Sequence, residues 1–175
     1  MKKFLTVLFL TGLLTASIAA AENSVKTAGT GKAILGISPD KKEITVTAVT
    51  ADGSPVQVEG CTVTELPSDE ETILTATGTK VVLKGNITEL DCSSNELTAL
   101  DVRGLTALQT LDCYNNRLTV LDIHGLSRLA GLYCSRNRLK EHALIQIINS
   151  LPERRTDEET EAVFYTEEDN RSEGN

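Results

Sequence analysis

The chain has 175 residues, a formal net charge of −8 and only 3% aromatic residues, with no tryptophan. This length fits one domain, or one domain with a small appendage, and any core must be aliphatic. The acidic balance provides no basic stripe for counterion release, so the composition argues against binding to nucleic acid and to anionic membrane.

The first residues, 1–21, predict a secretory signal peptide. Lys2 and Lys3 precede an apolar run that ends in three alanines, which is typical of a small-residue cleavage site. We expect cleavage after Ala21, leaving no transmembrane segment. An uncleaved anchor is the alternative, because the run approaches the length of a membrane span. Export to the cell surface or medium is expected, with the periplasm as the alternative location.

The next segment, residues 22–32, is small and polar and predicts a flexible lead-in. Residues 33–86 then predict an N-terminal β cap. Their short Val- and Thr-rich runs alternate with a period of two and are separated by turn signals. The predicted strands are Ile44–Val49, Val56–Val58, Cys61–Val63 and Val81–Leu83.

One pattern is written almost three times between Leu90 and Leu139, with a period of 21 residues. The copies read LDCSSNEL from Leu90, LDCYNNRL from Leu111 and LYCSRNRL from Leu132. A period of roughly 20 to 29 residues with this spelling is the signature of a leucine-rich repeat. We therefore predict a β-rich leucine-rich repeat solenoid over residues 87–139, with about three 21-residue coils and parallel strands.

A cysteine and an asparagine each recur at the same position of successive repeats and so form two columns along them. These columns predict a structural ladder of Cys92, Cys113 and Cys134 and of Asn95, Asn116 and Asn137. Cysteines in one slot of successive coils favour buried free thiols. The alternative is a disulfide between Cys61 and Cys92, since four cysteines in an exported protein ordinarily suggest bridges. Buried asparagines are tolerated when their amides bond backbone groups of the turn.

After the repeats, residues 140–166 predict a helix–strand C-terminal cap. Apolar residues follow helical spacing from Glu141 to Ser150, and Pro152 stops the run. The segment from Thr160 to Thr166 predicts one further strand. Residues 167–175 predict a mobile acidic tail.

The repeat spelling resembles the cysteine-ladder repeats of bacterial internalin-type surface proteins, in particular internalin J-like and Bacteroidetes-type members. The resemblance covers residues 87–139, where the cysteine and asparagine columns recur together with the Leu-Thr-x-Leu-Asp segment. It implies an exported, adhesin-like protein that binds other macromolecules. Such proteins usually have many more coils, so a further alternative is that this chain is a truncated remnant of a longer surface protein.

No pattern in the chain indicates an enzyme, a metal site or a cofactor. His124 and His142 share no spacing with other ligand residues, and the cysteines stand 21 residues apart rather than in close pairs, which argues against zinc or redox chemistry. Nucleophile elbows, Walker loops and dinucleotide glycine patterns are lacking.

Binding through the predicted strand face is the remaining function. The residues of that face, between the inward positions, are Glu89, Asp91, Ser93, Thr110, Asp112, Tyr114, Asn115, Tyr133, Ser135 and Arg136. Tyr114 and Tyr133 are the strongest candidates, because tyrosine is enriched at interface hot spots. The predicted partner is a protein or glycan on a host or neighbouring cell. The alternative is a structural envelope protein without an external ligand.

Overall fold

The computed structural model describes residues 31–152. The predicted signal peptide, most of the predicted lead-in, the predicted strand over Thr160–Thr166 and the predicted acidic tail lie outside these residues. No helix among the described residues is long and apolar enough to cross a membrane.

Ten strands and one helix form the described part of the chain. The strands are β1 Gly31–Gly36, β2 Glu43–Thr50, β3 Val56–Glu59, β4 Glu65–Leu66, β5 Thr72–Thr75, β6 Lys80–Gly85, β7 Ile87–Asp91, β8 Ala99–Asp101, β9 Thr110–Asp112 and β10 Gly131–Tyr133. The helix, α1, spans Glu141–Ser150, as its apolar spacing predicts.

The strands pair into two five-stranded sheets. The first has the order β4-β3-β6-β1-β8 and the second the order β10-β9-β7-β2-β5. Parallel pairing is confined to β7 with β9, β9 with β10, and an isolated bridge between Asp101 and Asp122. The other ladders between strands are antiparallel.

The predicted solenoid of parallel strands is therefore wrong. The N-terminal strands do more than cover the first coil, because β2 pairs antiparallel with β7 in one sheet and β1 pairs antiparallel with β8 in the other. The repeats extend both sheets by short strands only. The molecule is consequently built from two mixed sheets that contain a leucine-rich repeat segment.

The strand pattern of β2 shows why the N-terminal residues join these sheets. Ile44, Val46, Ala48 and Thr50 are buried, while the alternate residues are half-buried or, at Glu43, exposed, as expected for a β-branched strand with one face toward a core. The prediction of a strand over Cys61–Val63 is wrong. Cys61 makes only an isolated bridge with Ala76, and the side chain of Val63 is 40% exposed.

One cluster of buried apolar residues joins the two sheets. It contains the apolar residues of the repeat segment, which are Ile87, Leu90, Leu97, Leu100, Val102, Leu105, Leu108, Leu111, Leu118, Leu121, Ile123, Leu126 and Leu129. Ala143 and Ile147 of α1 add to the same cluster. The alternation in β2 and the 21-residue period thus bury their apolar residues in a common core.

Candidate functional site

The asparagines of the repeats hold the turns at the ends of β7, β9 and β10. Oδ1 of Asn116 accepts hydrogen bonds from the backbone N–H groups of Asn95 and Leu97, at 3.2 and 2.8 Å. Its Nδ2 donates to the carbonyls of Cys92 and Cys113, at 3.0 and 3.1 Å. A buried amide that satisfies several backbone groups in this way fixes the position of the turn.

Asn95 makes the corresponding bonds to an antiparallel strand instead of a preceding coil. Its Oδ1 accepts from the N–H of Thr45 at 2.8 Å, and its Nδ2 donates to the carbonyl of Thr45 at 2.6 Å. The series of hydrogen bonds between asparagine and backbone therefore begins at β2, which lies where a preceding coil would lie.

Cys92, Cys113 and Cys134 are buried beside these turns, and all four cysteines are free thiols. Burial raises the pKa of each of the three repeat thiols, to about 11 for Cys134. Thiols with raised pKa values are poor nucleophiles near neutral pH. These cysteines accordingly act as small apolar core residues.

A shallow groove of about 240 Å³ crosses the second sheet where the repeats meet β2. Five of the ten predicted strand-face residues line it, namely Glu89, Asp91, Thr110, Asp112 and Tyr133. The ring of Tyr133 lies against Gly131, where an added Cβ would come within 3.5 Å of Cε2. That distance is an ordinary van der Waals contact, so the ring packs along the strand without requiring glycine there.

Four further residues line the groove. Leu90 belongs to the predicted repeat but not to the predicted strand face, and the other three were not predicted from the sequence. Thr47 and Val49 belong to β2, and Asp69 lies on the loop after β4. The N–H of Asp69 donates to the carbonyl of Ala48 at 3.0 Å, which holds the loop beside β2. The period-two alternation of β2 marks Thr47 and Val49 as one face, but no sequence signal places that face beside β7.

The other five predicted residues, Ser93, Tyr114, Asn115, Ser135 and Arg136, do not line the groove and follow the ends of the repeat strands. The guanidinium carbon of Arg136 lies 5.6 Å from the ring centroid of Tyr114, within the range of a cation–π contact. Nδ2 of Asn115 donates to Oγ of Ser94 at 3.2 Å. These contacts form a second patch beside the groove.

The groove is acidic. Asp69, Glu89, Asp91 and Asp112 line it, and no Lys or Arg does so. Burial raises the pKa of the Asp112 carboxyl, and the neighbouring charge of Asp91 raises it further, against the lowering effect of a hydrogen bond from the Tyr114 N–H. The charged form of Asp112 is therefore less favourable in the folded protein than in water.

A larger depression, of about 310 Å³, lies between α1 and the chain around Val120 to Asp122. It contains none of the predicted site residues, and its other lining groups are Gln146, Asn149 and Ser150 of the helix. Within residues 31–152, no group of three or more His, Cys, Asp or Glu side chains is arranged to hold a metal ion.

Residues 85–123 match the family model described as Leucine Rich repeats (2 copies). The matched span contains β7, β8 and β9 and most of the groove residues. Leucine-rich repeats generally mediate protein–protein interactions and are typically not catalytic. Comparison of the chain with curated proteins and with solved structures gives no match.

Proposed function

We propose that this protein is an exported, adhesin-like interaction module that binds another protein through the groove on its second sheet. The observation that carries the proposal is the position of the groove, since it lies on the strand side of the matched repeats. Leucine-rich repeats generally mediate protein–protein interactions, which supports a binding role for this surface. The cysteine and asparagine columns over residues 87–139 further support a place among the internalin-type surface proteins.

Tyr133 and Tyr114 provide the aromatic contact area. Tyr133 lines the groove, and Tyr114 lies beside it under Arg136. Both rings are half-buried, so each is held in place before a partner binds. Side chains that are already ordered lose little conformational entropy on binding, which suits them to act as anchors.

The binding face is tested by cross-linking the purified protein to intact neighbouring or host cells and comparing it with two variants. We expect Tyr114→Ala/Tyr133→Ala to lose capture of a specific protein that the unchanged chain retains. Thr62→Ala, which alters an exposed residue far along the chain from the repeats, serves as the control. Equal capture by the double variant would contradict the assignment of this face, and capture only of glycan would contradict the proposed protein partner.

Export is a separate part of the proposal and is supported by the signal-like residues 1–21. We expect the protein recovered from its native cells to begin at Glu22, and added protease to degrade it on intact cells. A protein that retains Met1 and is protected from protease would contradict export to the surface. Protection in intact cells with Glu22 at the N-terminus would instead indicate a periplasmic protein.

A further inference from the structure

The depression beside α1 lies where the described part of the chain ends. It has a volume of about 310 Å³ and lies between α1 and the stretch from Val120 to Asp122. Ser150, the last residue of α1, lines it, and only Leu151 and Pro152 follow within the described residues. The chain after Pro152 therefore starts at the wall of this depression.

The depression exposes an apolar side chain opposite polar ones. Val120 is 59% exposed, and the amides of Gln146 and Asn149 lie on the facing wall. A side-chain amide can both donate and accept hydrogen bonds. Elsewhere in the molecule the amide of Asn95 holds a strand in this way, through the N–H and the carbonyl of Thr45. The depression thus combines an apolar contact with groups that can bond the backbone of an extended segment.

Basic side chains lie near one end of the depression. The N–H of Arg138 donates to the carbonyl of Leu118 at 2.8 Å, two residues before Val120. Arg138 and Lys140 are both exposed, and neither forms an ion pair within residues 31–152. This surface therefore favours a segment that carries negative charge as well as apolar side chains.

The sequence after Pro152 contains one segment of this kind. Residues 162–165 read Ala-Val-Phe-Tyr and form the one apolar run within residues 153–175. Phe164 is also the only phenylalanine outside residues 1–21. The flanking stretches, residues 156–161 and 166–169, are acidic and contain no Lys or Arg. The run therefore matches the depression in both apolar character and charge.

The connecting chain is long enough for this run to reach the depression. Residues 153–161 separate it from Pro152, and at about 3.3 Å per residue they can span about 30 Å. The ten residues of α1 extend over only about 15 Å. A tethered segment also has an effective concentration of the order of millimolar, which favours it over a second copy of the protein.

We propose that residues 162–165 bind in this depression, with the ring of Phe164 against Val120. The contact removes apolar surface of both side chains from water. The amides of Gln146 and Asn149 bond the backbone of the segment, and the basic residues at the end of the depression face its acidic flanks. The inference is independent of the proposed function, because the depression and the groove share no lining residue.

Limited proteolysis of the full chain by chymotrypsin tests the inference, with cleavage after Phe164 and Tyr165 followed by mass spectrometry. We expect Val120→Asp to raise the rate of this cleavage by about tenfold, because a carboxylate there removes the apolar contact. Ile148→Asp is the matched control, since Ile148 is also exposed but does not line the depression. Its rate should equal that of the unchanged chain. Equal rates for all three proteins, or the same increase in both variants, would overturn the proposed contact.

Methyl NMR of the full chain detects the contact directly. We expect nuclear Overhauser effects between the methyl groups of Val120 and the ring of Phe164. Phe164→Ala should shift the methyl resonances of Val120 and leave those of Ile148 unchanged. Both results should be independent of protein concentration. A lack of these Overhauser effects, or their loss on dilution, as expected for a contact with a second copy of the chain, would overturn the inference.

Discussion

At the scale of single residues, two polar types perform different tasks in each repeat. The asparagines are buried and bond the backbone on both sides of a turn, whereas Asp91 and Asp112 each accept a hydrogen bond from the N–H two residues later. The asparagine role is predictable from its apolar setting and fixed period. The aspartates share the 21-residue period, but that spacing alone does not reveal the turn hydrogen bonds that they accept.

Replacing Asn116 with alanine should strongly destabilise the protein. The change leaves the buried N–H of Leu97 and the carbonyls of Cys92 and Cys113 without their amide partners, which we expect to cost about 2 to 4 kcal/mol in the free energy of unfolding. Urea denaturation measures this loss. Asn115→Ser is the control, because serine stands in the equivalent left-handed position at Ser94, and its cost should be below about 0.5 kcal/mol.

Asp112 and Asp101 should affect stability with opposite signs. When folding raises the pKa of a carboxyl, the protein becomes less stable as pH rises from the unfolded pKa toward the folded pKa. Burial and Asp91 raise the pKa of Asp112, so Asp112→Asn should stabilise the protein at pH 7. The pKa of Asp101 is lowered by Arg103, so its contribution is present at pH 7 and is lost as pH falls through the folded pKa. Asp101→Asn should therefore destabilise the protein at pH 7.

Both effects should be small, about 1 kcal/mol or less, since the carboxyls are partly exposed. Urea denaturation at pH 7 and at pH 3 measures them, and both differences from the unchanged chain should shrink at pH 3. Destabilisation by Asp112→Asn at pH 7 would show that the like-charge contact with Asp91 does not limit stability.

At the scale of elements, α1 closes the described core with one narrow face. Ala143 and Ile147 are buried, while Ile145 and Ile148 are 49% and 57% exposed. The helix has no side-chain N-cap hydrogen bond and no basic residue in its last turn. Its stability therefore depends on packing rather than on its ends.

Two adjacent isoleucines of α1 test this dependence. Ile147→Ala should lower the free energy of unfolding by about 2 to 4 kcal/mol, because it leaves a cavity in the core. Ile148→Ala should change it by less than about 0.5 kcal/mol. Helix propensity changes equally in the two variants, so their difference in urea denaturation isolates the packing of Ile147. Equal losses would indicate that Ile148 is covered in solution.

At the scale of the whole molecule, the sequence predicts local structure better than the pairing of distant strands. The 21-residue period identifies the buried leucines and the helical spacing identifies α1, because both patterns are local. The partners of β1 and β2 are not predictable in this way. Period-two alternation shows that β2 has a buried face, but it does not show that β2 lies beside β7 or that β1 lies beside β8.

The same limit explains the partial prediction of the site. The face of the repeats could be derived from the alternation of inward and outward residues, and five of its residues line the groove. The wall formed by Thr47, Val49 and Asp69 depends on a contact between distant segments.

The most direct measurement of the proposed function is the affinity of the partner recovered by cross-linking, determined by surface plasmon resonance for four proteins. We expect Tyr133→Ala and Tyr114→Ala each to weaken binding by about tenfold or more, since Tyr133 lines the groove and Tyr114 lies beside it. Arg103→Ala, which removes the ion pair with Asp101 and no groove residue, should bind like the unchanged chain. Undiminished binding by both tyrosine variants, or a loss confined to Arg103→Ala, would contradict a binding site on the second sheet.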